Sequence, residues 1–110
     1  MTDTEAETLG RRLVACKGFR VMRGMLDMQG GTWKQSELFR WWNDHHTPDI
    51  RDPATLGCLL ALVREAHGSR CYTQACGGFW TVQNEDTEDW WGKNCVYEAE
   101  ALVAALEAAP

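Results

Sequence analysis

Apolar positions in this chain recur at two different periods, and the alternation between them divides it into elements. Thr4 followed by Glu7 has the form of a capping box, and Leu9, Leu13 and Cys16 then fall at helical spacing until Gly18, so a first helix is expected over residues 4–17. From Phe19 the pattern loosens. Phe19 and Val21 alternate with arginines, and Gly30-Gly31 can supply the positive φ angles of a hairpin turn, which predicts strands near 19–28 and 32–36. Residues 36–42 fit a short helical turn as an alternative.

The clearest element is DPATLGCLLALVREAHG, residues 52–68. Asp52 caps it, Pro53 takes the first helical position, Leu56, Leu59, Leu60 and Val63 form an apolar stripe, and Gly68 ends it. Gly57 inside this helix marks either a close backbone approach or a tolerated weakness. RCYTQACGGFWTVQ then reads as a hairpin turning on Gly77-Gly78, followed by an acid-rich loop, a short strand around KNCV, and a final amphipathic helix with Leu102, Val103 and Leu106 on one side. The order of elements predicts a single α+β domain: a small antiparallel sheet of about four strands packed with three helices in a layered α/β/α-like sandwich.

Residues 52–68 and EAEALVAALEAAP, residues 98–110, resemble segments of small proteins encoded by phages and prophages. An apolar helix, a tryptophan-containing hairpin and an alanine-rich last helix also look like the phage ABA sandwich domain, over about the C-terminal 60 residues of the 110. Similar tails open the last helix with Thr as its cap, whereas this chain has Tyr97, so Asn94 or another group must serve. The resemblance implies an accessory phage protein and carries no catalytic residues with it.

Composition narrows the class. With 110 residues and 45% hydrophobic content the chain can bury one core. No run is long and apolar enough to span a bilayer, and the N-terminus MTDTEAETLG is acidic where a secretion signal is basic and then apolar, so a cytoplasmic location and no membrane partner are expected. Cys16, Cys58, Cys71, Cys76 and Cys95 are odd in number and irregular in spacing, which favours free thiols in a reducing compartment.

The net charge of −5 is unevenly spread. Residues 1–70 hold ten Lys/Arg against nine Asp/Glu, while residues 71–110 hold Lys93 alone against seven acids. Residues 11–43 form a local +5, yet an acidic chain lacks the overall phosphate-neutralising charge that duplex DNA or RNA binding needs.

Candidate chemistry is sparse. Cys71 and Cys76 lie five positions apart, on opposite faces of any strand, and the adjacent His45 and His46 do not converge on one metal without help, so no metal site or cofactor is assigned. Cys58 reads as a core residue. Cys95 precedes a helix N-terminus, the one place where a helix dipole would favour a thiolate, but no base can be paired with it and no catalytic residue is named.

The tryptophans carry more weight. Six of them, four in the pairs Trp41-Trp42 and Trp90-Trp91, exceed what one small core encloses, and neighbours in a strand face opposite ways. One ring of each pair is therefore expected at the surface. The stretch RWWNDHHTPDIRDP, residues 40–53, is a loop leading into a capped helix; its Arg40, Trp41, Trp42, His45, His46 and Arg51, with Arg70, Trp90 and Trp91, form the candidate contact surface. The expected function is a non-catalytic accessory protein that binds a host protein, in an anti-defence role. The alternatives are a binder that sequesters a nucleotide-like molecule between indoles and arginines, and a small thiol- or metal-dependent enzyme. An exposed strand edge also leaves homodimerisation open.

Overall fold

A computed structural model describes residues 1–28, 30 and 47–110. Within them the chain forms α1 (Asp3–Val14), α2 (Pro53–His67), β1 (Cys71–Cys76), β2 (Phe79–Asn84), β3 (Trp90–Cys95) and α3 (Glu98–Glu107). The architecture is α+β, as the order of periodicities predicts.

α1 begins at Asp3, one residue before the expected start, and ends at Val14, three before the expected end. Thr2, not Thr4, is the N-cap: its hydroxyl accepts from the Glu5 amide at 3.1 Å, and the Glu5 carboxylate accepts from the Thr2 amide in return. The same capping-box pattern fits both Thr2-Glu5 and Thr4-Glu7, and the Thr2 box is the one formed. α2 follows its signals closely. Asp52 caps it by accepting from the Thr55 amide, Pro53 opens it, and Gly68 closes it at φ 126°. Its inward face is Thr55, Leu59, Leu62 and Val63, whereas Leu56 and Leu60 are half-buried at the flanks.

The described strands form one antiparallel meander, β1-β2-β3. Gly77 and Gly78, both at positive φ (60° and 85°), make the two-residue turn that pairs Cys76 with Phe79. β3 pairs with β2 through a bulge: Trp80 faces Cys95 but Val82 faces Trp91, so β3 spends extra residues there, with Gly92 and Asn94 at positive φ. Gly92 is needed where it stands, because a Cβ would lie 2.8 Å from the Ala101 backbone of α3.

α3 lies against the inner face of the sheet and also packs on α1 and α2. Leu102, Val103 and Leu106 of α3 meet Leu9, Leu13, Leu59, Val63 and Val82 in the core, closed from the side by Met25 and Ile50. Tyr97 is the N-cap of α3 and makes no side-chain capping bond, so neither it nor Asn94 replaces a threonine there.

One expectation is corrected. Residues 19–28 form turns and a single bridge, Asp27 to Pro48, instead of a strand. Phe19, Val21 and Met22 pack against the core from this irregular segment, so their alternation reflects side chains dipping inward from a loop. The proposed strand at 32–36 and the turn at 36–42 lie outside the described residues. The sheet has three described strands, compatible with the small antiparallel sheet of about four that was expected, and α3 and α2 both contact it.

Candidate functional site

Strand alternation sends Cys71, Val82 and Cys95 inward and leaves Tyr72, Phe79 and Trp90 on the outer face, 37%, 43% and 54% exposed. Tyr72, Gln83 and Trp90 are successive neighbours across the three strands. The Tyr72 hydroxyl donates to Gln83 Oε1 at 2.9 Å, and the Gln83 amide donates to the Thr81 hydroxyl at 3.2 Å, so the polar groups of this face hold one another in place. A shallow groove of about 370 Å³ runs here, lined by Tyr72, Thr81, Gln83, Glu88, Asp89 and Trp90 among others.

The loop at one end of the groove is built on Asn84, which is 4% exposed. Its side-chain oxygen accepts from the amides of Asp86 and Thr87 at 2.9 and 3.3 Å, and its amide group donates to the His67 carbonyl at 2.9 Å. Its backbone amide donates to the Asp89 carbonyl, and its carbonyl accepts from Glu88, the residue at φ 62° that turns the chain back. One buried side chain thus fixes the loop carrying Glu85, Asp86, Glu88 and Asp89, and anchors it to the end of α2.

The charges of that loop are divided. Arg70 pairs with Glu85 at 2.8 Å and Asp86 at 3.3 Å, and these carboxylates hold its guanidinium pKa up, Glu85 most. Among the described residues Glu88 and Asp89 have no such cationic partner and line the groove beside Trp90.

Of the sequence candidates, Trp90 and Trp91 separate as strand neighbours should. Trp90 stands in solvent, whereas Trp91 turns inward and stacks on His67, ring centres 4.1 Å apart. Arg51 is engaged elsewhere: it bonds Asp49 at 3.0 Å and Asp3 at 2.6 Å, tying the 47–52 loop to the start of α1. Arg40, Trp41, Trp42, His45 and His46 lie outside the described residues. Sequence reasoning missed Tyr72 and Phe79, although the alternation through CYTQACGGFW and the position of the glycine turn place both on one face of the hairpin; the register with β3 brings Trp90 to it. It also missed Asn84, whose signal is an Asn at a strand end leading into an acidic loop.

Burial pushes Cys95 above its ordinary range, Glu100 adds to this and Arg12 opposes it, which reverses the thiolate-favouring environment expected at that helix start. Burial likewise raises Cys16, Cys58 and Cys71. Cys58 is half-buried, its Sγ 3.8 Å from the Arg23 carbonyl, and Cys71 and Cys76 face opposite ways, buried and exposed. Among the described residues no group of three His, Cys, Asp or Glu side chains is placed to hold a metal ion.

Within the basic stretch Arg11 pairs with Glu7, Arg12 with Glu107 and Arg20 with Glu65. Among the described residues no helix is long and apolar enough to cross a membrane. No family model, curated protein or solved structure matches the chain.

Proposed function

We propose that this chain is a non-catalytic binding protein that docks a partner protein on the outer face of its sheet. The observation that carries the reading is the exposure of three aromatic rings, Tyr72, Phe79 and Trp90, on one face of a rigid meander. Aromatic side chains supply large contact area at low entropic cost and dominate the energetics of protein interfaces. The raised thiols weigh against a cysteine nucleophile.

The resemblance of residues 52–68 and 98–110 to small phage proteins gives the proposal its setting: an accessory protein that binds a host protein and blocks a host defence function. A nucleotide-like ligand suits this face less well. Its unpaired charges are the carboxylates of Glu88 and Asp89, while Arg51 and Arg70 are bonded to carboxylates of their own.

The test is affinity capture from a bacterial host lysate with the native chain, Trp90→Ala and Phe79→Ser. The proposal expects a partner retained by the native protein and lost with both variants while their melting temperatures stay close to native. Equal capture by all three overturns it.

A further inference from the structure

The charges around the groove specify what the partner presents. The geometry points to a basic, extended segment of a protein partner, with an arginine or lysine side chain laid on the Trp90 indole between Glu88 and Asp89 and an apolar side chain against Phe79. This rests on the reading above, that the outer sheet face is the docking surface.

Three features carry it. The Trp90 indole is more than half exposed, and its groove includes a second aromatic ring, Tyr72. A cation over such a ring is attracted by the ring's quadrupole. Charge complementarity sets the sign of the partner: Glu85, Glu88 and Asp89 line the groove, and among the described residues the one cation bonded there, Arg70, is shared between Glu85 and Asp86, so the groove is net negative and Glu88 and Asp89 carry its unpaired charge. The loop holding these carboxylates is rigidly built on Asn84, which spares a ligand the cost of ordering it.

The length of the face supplies the spacing. Phe79 lies four residues along β2 from Gln83, the cross-strand partner of Trp90. At about 3.3 Å per residue this is roughly 13 Å, the separation of positions i and i+4 in an extended peptide, whose side chains point the same way. The occupant therefore carries its basic and apolar residues four apart.

The experiment is a titration of the isotope-labelled 110-residue chain, followed by backbone and indole NMR shifts. The probes are acetyl-Arg-Ser-Thr-Ser-Leu-amide and the same peptide with citrulline, the neutral isostere, in place of arginine. The inference expects shifts at Tyr72, Thr81, Gln83 and the Trp90 indole with the arginine peptide. Binding should be about five-fold weaker with citrulline, about five-fold weaker for Glu88→Gln/Asp89→Asn, and weakened by added salt. Trp90→Leu should weaken it similarly. Equal binding of the two peptides on this face overturns the charge assignment and leaves the docking surface standing. No shift on the face with either peptide, or shifts only elsewhere, overturns the inference, and the docking surface is then judged by the lysate capture alone.

Discussion

The His67 imidazole, at the end of α2, lies against the Trp91 indole of β3 with planes inclined by 30°, and its Nε2 is 2.7 Å from the Ala105 carbonyl of α3. Because a carbonyl only accepts, Nε2 carries the proton and donates. Ala105 has one of the last four carbonyls of α3; its neighbours Ala104 and Leu106 accept from the amides of Ala108 and Ala109. One side chain thus caps one helix from the end of another and packs on the sheet. His67→Ala should cost about 1–3 kcal/mol, the range for a lost bond to a half-buried group together with a lost ring stack. Urea denaturation checks it, and an unchanged midpoint contradicts it.

Asn84 should be still less replaceable. Asn84→Ala removes three side-chain hydrogen bonds in a buried setting and should cost about 2–4 kcal/mol. Asn84→Asp retains the acceptor for Asp86 and Thr87 but sets a carboxylate oxygen against the His67 carbonyl in a buried site, so it too should destabilise. Hydrogen exchange should show the amides of Asp86 and Thr87 deprotected in the alanine variant and protected in the aspartate one.

Two glycines predict opposite signs. A methyl group at Gly57 meets nothing within 4 Å, and Ala is the better helix former, so Gly57→Ala should stabilise by about 0.5–1 kcal/mol. Gly92→Ala should destabilise by more than about 2 kcal/mol, since it combines φ of 85° with a Cβ driven to 2.8 Å from Ala101. Thermal unfolding of both variants reads the contrast.

The thiols set a pH dependence. Cys71 and Cys95 have folded pKa values raised by burial, so the stability they contribute is fully present below the unfolded thiol pKa of about 8.5 and is lost as pH rises through the raised values. Stability should therefore fall above about pH 9 by more in the native chain than in Cys71→Ala/Cys95→Ala. Labelling with a chromogenic disulfide at neutral pH should modify exposed Cys76 first, and early labelling of Cys95 would contradict the packing.

How much of this was legible in the sequence depends on whether a signal was local. Asp52, Pro53 and Gly68 bound α2, and Gly77-Gly78 turns the hairpin, because caps and tight turns are specified by residues within a few positions. The start of α1 was ambiguous because Thr2-Glu5 and Thr4-Glu7 both spell a capping box, and only the first is formed. The segment at 19–28 misled because alternation also arises when a loop dips Phe19 and Val21 into a core.

The site was half visible. A Trp-Trp pair in a strand must split between faces, and it does, but the partners of Trp90 on the outer face depend on strand register. The roles of Arg51 and Arg70 depend on which carboxylates folding brings near, Asp3 in one case and Glu85 in the other, and neither neighbour can be chosen from sequence alone.

The central claim, that the outer face of the sheet stands open to a partner, is tested most directly by indole NMR with a soluble neutral nitroxide, the signals assigned through Trp90→Phe and Trp91→Phe. The Trp90 indole proton should be broadened several-fold faster than that of Trp91, which is stacked on His67. A Trp90 signal broadened as slowly as Trp91's would mean that the face is covered, and the docking surface would fall with it.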